Sequence, residues 1–501
     1  MMIRKIVVSV FMITAAAFYL IGCNTTSPVE KKIAEGNTLA NNYCQGCHRL
    51  PGPELLDKKT WANFVLPKMG AFLHFRYLGA NNYVENEGTN NGLTLEDWNK
   101  IVFYYEHMSP DSLAKAEGKK KITMGLKSFD TFIPGFHTSF PATTYVGSWP
   151  EKKEVMFADG VNQNIYALNS KGMPADSFKA DVGPVNIKFQ KGNMYVLTMG
   201  VMYPSDEKKG KLLSINYITK KSFTVIDSLQ RPVYADYADL NNDSLQDIVI
   251  CEFGNLNGQL SWFENRGNNK YLKHTLRALP GAIHTQIADM NGDGKPDIVA
   301  LMAQGDEGIF IYFNKGNGQF DEKRVLRLPP SYGSNYFELA DFNGDGSLDI
   351  LATNGDNGDY PPILKPYHGI RIYLNDGHNN FSQNVFLPIN GTQKAVARDF
   401  DGDGDLDIAS ISFYPDYDHL PEESFVYWEN KGRLNFQPST FSDVTSGRWL
   451  TMTAADIDMD GDEDIILGNA KFPIGHIPAT LMKKWDERSP SVVILINRSK
   501  R

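Results

Sequence analysis

Hydrophobic positions change their period twice along the 501 residues. Ile6 to Ile21 is an almost unbroken apolar run behind Arg4 and Lys5. That run is short for a membrane-spanning helix and suits the h-region of an export signal. From Val29 to about Gly118 the spacing is helical. "KKIAEGNTLANNYC" and "LDKKTWANFVLPKMGAFL" are two amphipathic runs. A third begins at Thr94, with Asp97 at the capping-box position and Leu95, Trp98, Ile101, Val102 and Tyr105 on one face. Three short helices make a small core for so many residues, so this segment is expected to need a staple.

After Lys121 the helical period gives way to short alternating strands separated by a nine-residue loop that occurs five times. The copies are "DLNNDSLQD" at Asp239, "DMNGDGKPD" at Asp289, "DFNGDGSLD" at Asp341, "DFDGDGDLD" at Asp399 and "DIDMDGDED" at Asp456. Their starts are 50, 52, 58 and 57 residues apart. An alternating strand precedes each loop, an apolar segment follows, and two more strand-like segments complete the period. Four strands per repeat of this length is the unit of a β-propeller blade. Five blades carry the loop. Thr143 to about Val182 and Gly183 to about Pro232 hold strands for two more, which makes seven. The last blade lacks a fourth strand after "PSVVILINRSK", and "KITMGLKSFDTFI" from Lys121 can supply it and close the ring. Closure removes two free sheet edges. The expected fold is therefore mainly β, a seven-bladed propeller preceded by a small all-α domain. Six or eight blades fit the spacing less directly.

Each loop sets side-chain oxygens at its first, third, fifth and ninth positions, a pattern of hard ligands that suits Ca²⁺. The expected ligands are Asp239, Asn241, Asp243 and Asp247; Asp289, Asn291, Asp293 and Asp297; Asp341, Asn343, Asp345 and Asp349; Asp399, Asp401, Asp403 and Asp407; Asp456, Asp458, Asp460 and Asp464. Glycine at the sixth position eases the turn in four loops, and Ser244 stands there in the first. An EF-hand is excluded, because the twelfth position is apolar and strands flank the loop. The loops resemble the FG-GAP/VCBS repeat of integrin-α-like propellers, in which DxDxDGxxD loops bind calcium between the first two strands of a blade. The formal charge of −9 fits the same picture. It becomes −11 without Arg4 and Lys5, and five Ca²⁺ ions would return it to about −1. The acidity is mostly ligand charge, and with no basic stripe beyond Lys119–Lys121 nucleic acid is excluded as a partner.

Four cysteines are too few for a disulfide scaffold of this size. The apolar run ends "YLIGC", which resembles the lipobox of bacterial lipoproteins. That resemblance implies a signal peptide over 1–22 and lipidation of Cys23. It also implies an exported chain anchored to a membrane, with the outer membrane favoured because Asn24 is not the aspartate that retains lipoproteins at the inner one. Which face of that membrane is not readable. Cys251 follows "DIVI" in a strand and is expected to be a small buried residue.

The remaining pair lies in "NNYCQGCHRLPG", from Asn41. A zinc site would need a second ligand pair, and a thioredoxin-like thiol pair a βαβ context. "CQGCH" has the order that covalent haem attachment requires. With "EGNTLANNYCQGCH", "LPKMG" and "EDWNKIVFYY", the segment resembles a mono-haem cytochrome c domain. The resemblance implies one haem c bound through Cys44 and Cys47, with His48 as proximal ligand and Met69 as distal ligand to the iron; His74 and Met108 are the alternatives. Domains then fall at 23–35 (linker), 36–118 (cytochrome c-like) and 119–501 (propeller).

The face of each first strand that alternates toward the ring axis brings up His284, Tyr336, Glu338, Lys394 and Arg398 as candidates for a ligand funnel, beside the alternative of a solvated wall. These readings converge on a membrane-anchored c-type cytochrome that transfers electrons to a redox partner protein. The propeller would dock a protein or glycan ligand, and no catalytic residue is expected. A quinohaemoprotein-type dehydrogenase, a polysaccharide lyase, and a glycan- or adhesion-binding lipoprotein with haem as sensor or staple are the alternatives.

Overall fold

In the computed structural model, residues 27–88, 92–358 and 361–500 are described. Seven sheets, each with four antiparallel strands and one of them with a short fifth strand added in parallel, follow one another around an axis. Blades 1 to 6 are continuous in sequence, at 143–179, 184–229, 232–277, 282–327, 334–388 and 392–440. Blade 7 takes three strands from 449–497 and its fourth from Phe129–Phe132, which pairs antiparallel with Val492–Asn497. The ring is thus closed by the segment expected to close it, although that segment divides. Thr123–Met124 pairs parallel with the outer strand of blade 6, and only Phe129–Phe132 completes blade 7.

The first strand of each blade touches the first strands of its neighbours, so these strands surround the axis. The apolar residues after every loop form the second strands, which are buried along their whole length. The core is divided into seven clusters, one at each junction between blades. The cluster between blades 4 and 5, for example, joins Val299, Leu301 and Ile311 to Phe337, Ile350 and Tyr373. Each fully buried side chain of this size contributes roughly 1.5–3 kcal/mol. No blade could bury these faces alone, which is why the ring must close. Cys251 is one of the buried residues, at 0% exposure.

The N-terminal segment has the three expected helices, with two differences. The first spans Pro28–Cys44, begun by a Ser27–Glu30 capping box. The stretch 28–35, expected to be linker, is therefore helix. A hairpin, Phe75–Gly79 with Asn82–Glu85, stands between the second and last helices. Its aromatic residues enlarge the core, which contains Trp61, Phe75, Tyr83, Trp98 and Tyr105. The segment is less short of buried surface than its helices alone suggested. Gly36 lets the first helix cross Leu95–Met108 closely, since a Cβ there would run into the Lys100 carbonyl and the Tyr104 Cβ.

The helical segment rests on the ring. Arg49 donates to the Arg327 carbonyl (3.1 Å), Arg327 to the Gln45 carbonyl (3.4 Å), and Tyr367 Oη to the Leu55 carbonyl (2.7 Å). Ile363 packs against the segment's core. Arg327 ends the fourth strand of blade 4, and Tyr367 precedes the third strand of blade 5. In an up-and-down sheet those connections lie at the opposite end from the loops joining strands one and two. The helical segment and the aspartate loops therefore occupy opposite faces of the ring.

Candidate functional site

All five aspartate loops join the first and second strands of their blades, and each folds onto its own first aspartate. Asp289 accepts the backbone N–H groups of Gly292 (2.8 Å) and Gly294 (2.7 Å), and Asp341 those of Gly344 and Gly346. The sixth residue is left-handed in every loop: φ is +78° at Gly294, +96° at Gly404 and +68° at Ser244. Ser244 is the costly case, because its Cβ must accept a conformation that glycine adopts freely. In two of the loops carboxylate oxygens lie close together. Ligand atoms of Asp399, Asp401 and Asp403 lie within 4.8 Å of one another, as do those of Asp456, Asp458 and Asp464.

The ninth-position aspartates also have a second role that the spacing did not reveal. They are fully buried. In blades 3, 4, 5 and 7 one oxygen accepts the N–H of the second loop residue, as Asp297 does from Met290 (2.9 Å) and Asp464 from Ile457 (3.0 Å). In all five blades the other oxygen accepts the N–H of an asparagine at or near the end of the third strand: Asn265, Asn314, Asn375, Asn430 or Asn497. Each asparagine then donates from Nδ2 to the carbonyl just before its aspartate. The signal lay in "WFEN", "IYFN", "IYLN", "YWEN" and "ILIN", in phase with the blades but at variable distance from the loops.

Burial pushes the Asp407 carboxyl up to about 7, with Asp401 and Asp403 adding to the rise. Burial likewise raises Asp464 to about 6, helped by Asp458 and Asp462. A metal-free loop thus resists holding its full charge, which is the electrostatic condition that a divalent cation relieves.

On the other face, "CQGCH" begins at the last residue of the first helix. Cys44 and Cys47 are both free thiols, Cys44 half-buried and Cys47 exposed. Burial, then the neighbouring Cys47, pushes the Cys44 thiol up to about 11. His48 Nδ1 lies 2.9 Å from the Arg49 carbonyl. With its proton on Nδ1 the ring donates there and leaves Nε2 free as an acceptor or ligand. The chain that follows is pinned, because Tyr105 Oη donates to the Pro51 carbonyl and Trp61 Nε1 to the Pro53 carbonyl, each at 2.8 Å. Met69 and Cys44 pack on the same core cluster. Met108 is half-exposed at the end of its helix. His74 is held at φ +61° with Nδ1 3.1 Å from the Glu87 carbonyl. Trp98 Nε1 and Tyr83 Oη, both buried in this segment, have no hydrogen-bond partner among the described residues. Cys23 and the apolar run before it lie outside the described residues.

Around the axis, the expected funnel residues separate into two groups. Glu338 accepts the Ala397 N–H (2.8 Å) and pairs with Arg398 (2.5 Å), which also reaches Glu463 (2.8 Å). Gln286 accepts the Leu339 N–H in the same manner (2.7 Å). These side chains lace one first strand to the next, so Glu338 and Arg398 brace the ring. Among the described residues His284, Tyr336 and Lys394 have no such partner. They come one turn of the wall away, in the layer just past a bulge that every first strand shares.

Residues 239–300, 289–352 and 399–467 match the model of the FG-GAP-like repeat. The chain is a seven-bladed β-propeller carrying FG-GAP-like repeats. Among curated relatives, it is 29% identical over 192 residues to the T-cell immunomodulatory protein homolog of Plasmodium falciparum (isolate 3D7). The match covers 35% of this chain and 24% of that relative, so the chain spans about a quarter of the relative's length. Solved structures resemble it weakly. A Saccharomyces cerevisiae complex of Dbp5 with Nup159 and Gle1 gives a TM-score of 0.43 at 11% identity, covering 77% of this chain and 100% of that one. The calcium-binding protein regucalcin from Agrobacterium tumefaciens gives 0.39 at 8%, covering 76% and 98%.

Proposed function

We propose that the protein is an exported, lipid-anchored c-type cytochrome whose calcium-braced propeller docks a protein or other ligand beside a single redox centre. The observation that carries the reading is the state of the CxxCH turn. Two free thiols and a histidine with one nitrogen engaged by a backbone carbonyl stand at a helix end, on a loop fastened by Tyr105 and Trp61. These residues fit a covalently attached haem. Cys44 and Cys47 would supply the thioether sulfurs, His48 Nε2 the proximal ligand and Met69 the distal one. Haem of this kind supplies reversible one-electron transfer at an iron with no open position for substrate.

The chain's own part is to orient and to hold. The Arg49 carbonyl fixes the His48 ring, and the Arg327 and Tyr367 contacts keep the segment at one place on the ring. A partner seated on that face would lie near the redox centre. The aspartate loops on the opposite face would take up to five Ca²⁺ ions and stiffen the blades. Lipidation of Cys23 would hold the assembly at the outer membrane. The FG-GAP-like repeats support a binding role for the ring.

The test is expression in a host with haem-attachment machinery, followed by absorption spectroscopy of the denatured, reduced protein. The expected result is one covalent haem per chain, lost in Cys47→Ala, with reversible reduction of the native protein. A chain that matures without haem would overturn the cytochrome reading. A haem protein whose far-red oxidised band survives Met69→Ala would reject Met69 as ligand.

A further inference from the structure

The shared bulge places one residue per blade in a single layer around the axis: Tyr145, Asn186, Tyr234, His284, Tyr336, Lys394 and Thr451. Four of them are in contact along an arc. The rings of Tyr234 and His284 lie 4.1 Å apart, those of His284 and Tyr336 4.5 Å apart, and Lys394 Nζ sits 4.6 Å over the Tyr336 ring. His284 is only 5% exposed and its Nε2 has no hydrogen-bond partner among the described residues. Tyr234, Tyr336 and Lys394 are partly exposed toward the axis.

An ammonium walled in by protein is costly unless a counter-charge neutralises it. Among the described residues no carboxylate lies within ion-pair distance of Lys394. The nearest candidate, Glu338, is already committed to the Ala397 N–H and to Arg398. The Tyr336 ring supports one side of the ammonium and cannot neutralise it. His284 is uncharged at neutral pH, because burial and then Lys394 hold its pKa well below the ordinary value. Burial lowers the Lys394 ammonium itself to about 8, with Glu338 opposing the fall and Arg398 adding to it, so at neutral pH the arc still carries one positive charge, flanked by tyrosine hydroxyls and an imidazole that can donate.

We propose that this arc is a binding site for a small oxyanion of the carboxylate or sulfate type, held by the Lys394 ammonium and by hydrogen bonds from the neighbouring tyrosines and His284. The blades supply the charge and donors, and solution supplies the counter-ion. The site lies inside the ring and is independent of both the aspartate loops and the CxxCH turn.

The test uses the full calcium-loaded chain at neutral pH and constant ionic strength, with acetate, sulfate or chloride added at millimolar levels. Acetate or sulfate is expected to raise the melting temperature by about 2 °C or more above chloride. Lys394→Met is expected to abolish that difference, and Lys188→Met to leave it intact. Which anion stabilises more distinguishes a carboxylate site from a sulfate or phosphate site. A second readout needs no variant. Modification of Lys394 by an amine-reactive label, followed by peptide mass spectrometry, is expected to slow at least about threefold with the better anion. Equal stabilisation of the wild type and Lys394→Met, or labelling of Lys394 that no anion slows, overturns the proposal.

Discussion

Asp297 accepts the backbone N–H of Asn314 at 2.7 Å, and Asn314 in turn donates to the Pro296 carbonyl and to the Leu240 carbonyl of the preceding blade. This exchange ties the aspartate loop to the third strand and the third strand to the aspartate loop of the preceding blade. Asn314→Ala strands two carbonyls in a site that is 2% exposed. The expected cost is about 1–3 kcal/mol. It should appear in denaturant unfolding together with weaker calcium binding at the Asp289 loop. A change on an exposed loop residue such as Lys295→Ala should leave stability nearly unchanged.

Calcium removal should reverse the sign of the pH response. Asp407 and Asp464 have folded-state values of about 7 and about 6, above the value near 3.9 of an unfolded aspartate. A carboxyl raised in this way binds more protons folded than unfolded, so stability falls as pH rises between the two values. The metal-free protein should therefore lose stability from about pH 4 to pH 7. The calcium-loaded protein should gain stability over the same range, because the cation holds the carboxylates charged. At pH 7, chelation should lower the melting temperature by at least about 5 °C. Melting curves at several pH values, with calcium and with chelator, measure both effects.

Gly36→Ala should separate the first helix from Leu95–Met108. The added methyl meets the Lys100 backbone, which is not a flexible side-chain end and has little room to give. Overpacking of this kind costs about 1–3 kcal/mol. Limited proteolysis should show cleavage in the helical segment at lower temperature, while the ring melts as before.

The ring depends on a strand from far away in sequence. Phe129 is 6% exposed and packs with Phe400 and Tyr427, while its strand covers the last edge of blade 7. Phe129→Asp buries an unpaired charge and should destabilise the propeller by several kcal/mol. It should also promote association through the uncovered edge. Melting temperature and light scattering read the two consequences.

Much of this architecture is local and was therefore visible in the chain. The period of about 50 residues, the loop "DxDxDG" and the alternation before it repeat because every blade solves the same packing problem at nearly the same length. The blade limits near residues 143, 183 and 232 agree with strands at 143–179 and 184–229. The asparagine at or near the end of each third strand was less visible, because its partner lies 17 to 33 residues away and the distance varies with loop length. The hairpin at 75–85 was missed because short half-buried strands share the composition of loops.

The sequence by itself determined the kinds of groups present and their spacing along the backbone: five carboxylate loops, one CxxCH turn, and strands of period two. Those properties follow from near neighbours, and near neighbours are fixed by covalent geometry. Only the tertiary structure decided where these pieces stand relative to one another. It set the helical segment on the face opposite the loops and divided the closing segment between two blades. It used Glu338 and Arg398 to lace the ring, and it left Lys394 without an ion pair among the described residues. Each of those outcomes depends on which surfaces seven blades must bury against each other, and that quantity exists only once the ring has closed.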